Sequence, residues 1–190
     1  MLLPGEPVKQ FTTRCRPLYC EFSDDLAVKT IETTAWTEDK AIVAFYRQNF
    51  NVEIEDEQPK ECTRLLGEVF VTTDRSIYKR ALLDTFANGA HPTKITSVFF
   101  ANADSDAVKE LIVISASDIK NTDSVGTLFS VRVFDKTFAK LLPARIKRLE
   151  SAGVLLSGGF EGVVNGKPVK AKHKNQKEVE DELKKAGFVQ

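Results

Sequence analysis

The stretch from residue 94 to residue 134 constrains the fold of this chain most. Apolar runs over 94–101 and 110–117 are separated by Asn102-Ala103-Asp104-Ser105-Asp106, whose short polar side chains favour a turn. Residues 126–134 then alternate: Leu128, Ser130, Arg132 and Phe134 share one face, and Phe129, Val131 and Val133 share the other. Alternation with a period of two is the mark of a strand. Three such runs in succession predict an antiparallel β-meander.

A hairpin and a helix complete the C-terminal half. Asn165-Gly166 stands between apolar residues and is the strongest short hairpin signal in the chain. Asn175 is placed to cap a terminal helix, with Glu178 three residues on and Val179 and Leu183 on one face. Between meander and hairpin, residues 136–149 suggest a helix that Pro143 kinks or splits. In the first half, residues 28–36 and 66–72 suit strands. Thr37, Glu38 and Asp39 suit the start of a helix running to about Asn49, with Ile42, Phe45 and Tyr46 on one face. A second helix is expected from Thr73, carrying Ile77, Ala81 and Phe86 and ending at Asn88-Gly89. The sum is one α+β domain over residues 1–190. An antiparallel sheet of meander and hairpin strands is covered by several helices, including the C-terminal one. The one candidate subdivision falls near residues 89–94.

Composition excludes several classes of function. Of 190 residues, 42% are apolar and 28% charged, an ordinary globular mixture. Lys plus Arg equal Asp plus Glu at 27 each, so no global field draws the chain to nucleic acid or anionic lipid. No apolar run approaches the roughly 18 residues a membrane span needs. Charge is nevertheless divided along the chain. Residues 21–62 hold 11 acidic and 4 basic side chains, and residues 132–174 hold 10 basic and 3 acidic. The acidic stretch suits a basic protein partner, a toxin or an enzyme. Its densest part, Glu53, Glu55, Asp56 and Glu57, is the candidate partner-binding face.

Two resemblances bear on function. Ile95-Thr96-Ser97-Val98-Phe99-Phe100-Ala101, the Asn102–Asp106 loop and Lys109-Glu110-Leu111-Ile112-Val113 together resemble a single FG-GAP-like unit. In that family the loop can hold calcium, which implies Asn102, Asp104 and Asp106 as ligands; an ordinary hairpin turn is the alternative. The loop departs from the family in lacking its glycine, with Ala107 and Val108 following Asp106, and it occurs once rather than in an array. The layout of Gly126-Thr127-Leu128, Gly159-Phe160-Glu161-Gly162 and Asn165-Gly166-Lys167-Pro168, with the terminal helix, is similar to small exported bacterial proteins such as toxin-immunity proteins. That resemblance implies non-enzymatic protein binding as an inhibitor or immunity protein, with no cofactor.

Rival readings rest on scattered residues. Cys15 and Cys20 are the candidate disulfide, because Arg16-Pro17 can start a turn between them; reduced thiols are the alternative. A metal site would need a fourth ligand near the three cysteines, and His91 and His173 are far away in sequence. A small hydrolase lacks a Gly-x-Ser-x-Gly elbow or a phosphate loop to support it. Nucleic-acid binding would use Arg145, Lys147 and Arg148 with Lys167, Lys170, Lys172 and Lys174, if they converge. His173, between two lysines, suits a solvated strand end. The start, Met-Leu-Leu-Pro-Gly-Glu-Pro, has neither the basic nor the apolar part of a signal peptide. The expected location is periplasmic if Met1 replaces a removed leader and cytoplasmic otherwise.

Overall fold

A computed structural model of the chain describes residues 2–3, 5–21, 30–34, 36, 40–52, 60–72, 77–89, 91–106, 108–137 and 139–188. Of these, 52% lie in strands and 16% in helical turns. The order is α1 (Val8–Arg14), β1 (Cys20–Glu21), β2 (Thr30–Thr33), β3 (Ala41–Val52), β4 (Lys60–Thr72), β5 (Tyr78–Phe86), β6 (Thr93–Ala101), β7 (Glu110–Lys120), β8 (Ser124–Phe134), α2 (Glu150–Leu155), β9 (Gly159–Val164), β10 (Lys167–Val169) and α3 (Gln176–Lys185). A single 3-10 turn, Ala139–Leu141, follows β8.

The strands form two five-stranded antiparallel sheets. In the first, β1 and β2 both pair with β3, which continues through β4 to β5. In the second the order is β10-β9-β8-β7-β6. The sheets share one apolar core: Val43, Phe45, Leu65, Val69, Leu83 and Phe86 from the first meet Ile95, Leu111, Val113 and Phe134 from the second. This corrects the expected α+β architecture. The largest buried cluster lies between two sheets rather than under a layer of helices, and the described helices number three, none longer than 10 residues.

The corrections have a common physical reason. The expected helix ending near Asn49 is β3 over its described part, residues 41–49, and residues 37–39 lie outside the described residues. In β3, Ala41, Val43 and Phe45 face the shared core, while Ile42, Ala44 and Tyr46 pack with Phe11 of α1 on the other side. A strand buried on both faces shows no alternation, and its apolar run fits a helical spacing by accident. The helix expected from Thr73 is likewise β5 from Tyr78 onward; residues 73–76 lie outside the described residues. A bulge where the pairing of β4 with β5 shifts between Gly67 and Glu68 breaks its period, so Ala81, Leu83 and Phe86 all reach the core.

Residues 136–149 are not a kinked helix. Beyond the 3-10 turn the chain runs between β5, an edge strand of the first sheet, and the end of β8 past its pairing with β9. Leu82 of β5 donates to Ala144 O and accepts from Ile146 N, each at 2.9 Å. On the other side Leu149 donates to Val133 O at 2.9 Å and Asp135 donates to Lys147 O at 3.2 Å. Pro143 explains the choice, since it lacks the N–H a helix interior needs. The crossing segment stitches the sheets together and buries Ile146 in their shared core.

At that stitch sits a fully buried carboxylate. Asp84 has no exposed surface, and three arginines converge on it. Arg132 Nη1 donates to Oδ2 at 2.8 Å, Arg148 Nε to Oδ2 at 2.6 Å, and Arg145 Nη2 to Oδ1. The Thr85 N–H donates to Oδ1 at 2.9 Å, and the Arg132 guanidinium lies 4.4 Å from the centre of the Phe86 ring. Burial alone would raise the pKa of Asp84, but Arg132, the Thr85 N–H and Arg148 outweigh it and hold it below the ordinary 3.8.

The C-terminal turn and helix follow expectation, whereas the strand after the turn, expected over 169–174, is Lys167–Val169. Asn165 (φ 50°) and Gly166 (φ 75°) form the hairpin turn between β9 and β10. The Asn175 side chain accepts from Glu178 N at 3.0 Å, while the Glu178 carboxylate accepts from Lys174 N at 2.7 Å, one residue before the usual partner. Val179 and Leu183 are buried on the second sheet, beside Ala152 and Leu156. Gly187, at φ 91°, ends α3. Among the described residues no helix is long and apolar enough to cross a membrane.

Two glycines separate turn strain from close packing. Gly126 and Gly162 face each other across β8 and β9, and a methyl group on Gly162 would run into the Val125 carbonyl oxygen. A methyl on Gly166 would meet nothing within 4 Å. Gly166→Val is therefore expected to cost only its left-handed backbone, about 1 kcal/mol or slightly more. Gly162→Ala adds the clash and is expected to cost about 1–3 kcal/mol beyond that. Urea midpoints of the two variants give the comparison. Equal losses would show that β8 and β9 do not depend on this close crossing.

Candidate functional site

The hairpin register gathers acidic side chains at one end of the second sheet. Ala101 pairs with Glu110 and Leu111 with Phe134, so Glu110 at the start of β7 lies beside Asp135, just past β8. Asp104 reaches them from the loop between β6 and β7. Carboxylate oxygens of Asp104, Glu110 and Asp135 lie within 4.8 Å of one another. Glu110 is only 1% exposed. Its Oε2 accepts from the Ala103 N–H at 2.6 Å, whereas Oε1 is buried without a partner. Burial raises its pKa to about 7; the Ala103 N–H opposes this, and Asp104 and Asp106 add to it.

Of the three residues that the FG-GAP-like resemblance implies as ligands, only Asp104 belongs to this set. Asn102 Oδ1 accepts from Asp104 N at 3.2 Å, and Asp106 Oδ1 accepts from Val108 N at 2.7 Å. Asn102 Nδ2 also donates to Asp106 O at 2.7 Å, so both side chains shape the loop backbone. Glu110 and Asp135 were missed because they flank strands far apart in sequence; only the register of three strands brings them to Asp104. Three carboxylates and water can supply the six to eight oxygens a hard divalent cation takes. Oxygens within 4.8 Å of one another can share one cation, and calcium, with its flexible shell at about 2.4 Å, accepts an irregular carboxylate set more readily than magnesium.

The other expected residues are dispersed. Glu53, Glu55, Asp56 and Glu57 lie outside the described residues. Cys15, Cys20 and Cys62 are free thiols; Cys15 and Cys20 share the apolar cluster beneath α1, where burial pushes the Cys20 thiol upward. Arg145 and Arg148 do not project from a helix but turn to Asp84, and Lys174 pairs with Glu161 at 2.5 Å. His173 is not a solvated strand end. It is buried at φ 53°, with Nδ1 3.0 Å from the Ser157 main-chain oxygen and Nε2 3.9 Å from Glu182. It lines an open, polar cleft of about 490 Å³ with Lys172, Asp181 and Lys185. The imidazole meets a carbonyl there, not the Ser157 hydroxyl, so these two residues do not form a nucleophile and base.

The turn expected from Arg16-Pro17 is present, but what it displays carried no sequence signal. It closes through Cys20 N to Pro17 O at 3.2 Å and presents Leu18 and Tyr19, 83% and 86% exposed. Tyr19 adopts φ 61°, a left-handed conformation uncommon for an aromatic residue. Pairing of Cys20 and Glu21 with Gln48 and Arg47 fixes the turn to the edge of the first sheet.

Comparison with protein-family models, with curated proteins and with solved structures finds no match to the chain. Its chemistry therefore rests on its own geometry.

Millimolar calcium is expected to raise the thermal midpoint of the wild-type chain, and magnesium to raise it less. Glu110→Gln removes one of the three carboxylates and should abolish most of the calcium-dependent rise. A rise of equal size in both proteins would exclude Glu110 as a ligand.

Proposed function

We propose that the chain is a non-enzymatic protein-binding domain and that the Pro17–Cys20 turn is its anchor. The single observation that carries this reading is the exposure of Leu18 and Tyr19 on a turn pinned to a sheet edge. Exposing a Tyr so fully forgoes apolar burial, and holding it at positive φ adds strain. The lost burial is recovered when a partner takes the ring into a pocket, and Tyr is enriched among residues that dominate binding energy. A preset turn also loses little entropy on association.

The chemistry of the partner follows from charge. The exposed Glu21 flanks the turn, and residues 21–62 carry a net charge of −7. A basic protein with an apolar pocket fits both features. An inhibitor or immunity role against a secreted toxin is the specific form that the layout resemblance implies. Attraction between such surfaces speeds encounter and weakens as salt shortens the Debye length below about 10 Å.

The test uses the full chain as bait against extract of its source, with Leu18→Ser/Tyr19→Ser as the paired control. Both changes are fully exposed, so stability should be unchanged. Support is a basic protein held by the wild type, with association slowed by salt and by Glu53→Lys/Glu55→Lys/Glu57→Lys. Its dissociation constant should rise about 100-fold with the double Ser variant, as expected of hot-spot side chains. A partner that binds the wild type and the double variant equally overturns the reading.

A further inference from the structure

The cluster around Asp84 holds more positive charge than the aspartate balances. Three guanidinium groups face one carboxylate, leaving two positive charges uncompensated. Among the described residues, Asp84 is the one carboxylate within 4.0 Å of any of the three. The arginines are also close enough for mutual repulsion, since Arg148 and Arg145 both act on Arg132. One arginine balances the charge of the aspartate; the other two satisfy its oxygens but add charge beyond that balance.

The arrangement is graded from core to solvent. Asp84 is fully buried, while the side chains of Arg132, Arg148 and Arg145 are 18%, 35% and 56% exposed. Arg132 is fixed twice, by Asp84 and by donation from Nη1 to Thr85 O at 2.8 Å, and it stacks over Phe86. Arg148 uses Nε and Nη2 on Asp84. Arg145 uses Nη2 alone, so its Nε and Nη1 carry N–H groups that no acceptor among the described residues takes. The aspartate thus sits behind the guanidinium groups and orients them, and Arg145, with the unused donors, is the most exposed of the three. Arg145 and Arg148 are three residues apart on the stitch that spans both sheets, so their backbone is held rigidly.

We infer that Arg132, Arg145 and Arg148 form a binding site for a doubly charged oxyanion of the phosphate class. Two uncompensated charges match a dianion, and the N–H groups that Arg145 does not spend on Asp84 can donate to its oxygens. An anion approaching from solvent meets guanidinium groups first and is shielded by them from Asp84. Its binding relieves the repulsion between the arginines, so it should stabilise the folded chain by mass action. The source is either free phosphate or a phosphoryl group on a small molecule; both present the same terminal oxygens.

The experiment is titration of the full chain with inorganic phosphate at constant ionic strength, sodium chloride making up the balance. Phenyl phosphate serves as the monoester arm. Thermal midpoint and calorimetric heat are read for the wild type, Arg145→Gln and Arg145→Lys. The expected result is saturable phosphate binding with a higher midpoint. Arg145→Gln should weaken it at least about tenfold, the loss of a charge-assisted contact, and Arg145→Lys should recover part of it. Arg145 is the most exposed of the three, so the folded state should survive its replacement. Tighter binding of phenyl phosphate assigns the site to a phosphomonoester, and tighter binding of inorganic phosphate assigns it to the free ion. Chloride acting as well as phosphate, or Arg145→Gln binding like the wild type, overturns the inference.

Discussion

The fold depends on one buried charge. Asp84 lies where β5 of the first sheet meets the stitch that pairs with β8 of the second, and Arg132, Arg145 and Arg148 reach it from those two elements. A carboxylate without solvent is stable as an anion only when its oxygens are filled by donors. Here four donor groups, three guanidinium and the Thr85 N–H, do so. The same contacts fix the stitch, which seats Ile146 in the core shared by the sheets. Apolar burial draws the two sheets together, and the ion cluster sets where β5, the stitch and β8 join.

The end of β8 concentrates the chemistry of the molecule. Arg132 and Asp135 are three residues apart, yet one belongs to the arginine cluster and the other to the carboxylate set with Asp104 and Glu110. The Asp135 N–H donates to the stitch at Lys147 O, so the two sites of opposite charge share a backbone. Calcium at one and phosphate at the other would each remove repulsion that the bare protein retains. The cluster at the Pro17–Cys20 turn is of another kind, apolar and at the far edge of the first sheet, and fits recognition of a protein surface.

Legibility of the sequence followed how many faces of an element are buried. The meander, the Asn165-Gly166 hairpin and the capped α3 were legible, because turn chemistry or capping marks their ends whatever the surroundings. The strands β3 and β5 were not. In β3, Tyr46 is buried beneath α1 while Phe45 fills the core between the sheets, so neighbouring residues are equally apolar, and in β5 the bulge opposite Gly67 and Glu68 breaks the period of two. Residues 136–149 were misread because their polar and apolar spacing suits a helix, whereas Pro143 and pairing to β5 and to the end of β8 impose an extended path. Of the candidate cation site, Asp104 was legible in its loop; Glu110 and Asp135 needed the strand register. Asp84 had a faint signal, a single acid in the apolar run Ala81-Leu82-Leu83-Asp84, but its three partners lie 48 to 64 residues away.

The claim that Asp84 joins the sheets is tested most directly by urea denaturation of Asp84→Asn beside the wild type across pH. At pH 7 the variant leaves three arginines facing a neutral amide and should lose about 3–5 kcal/mol. Because the folded pKa of Asp84 lies below its ordinary value of 3.8, its stabilisation is complete above that value and fades as pH falls through the folded one. The gap between variant and wild type should therefore be widest near neutrality and close in strong acid. A variant as stable as the wild type at pH 7, or a gap that does not change with pH, would contradict the account.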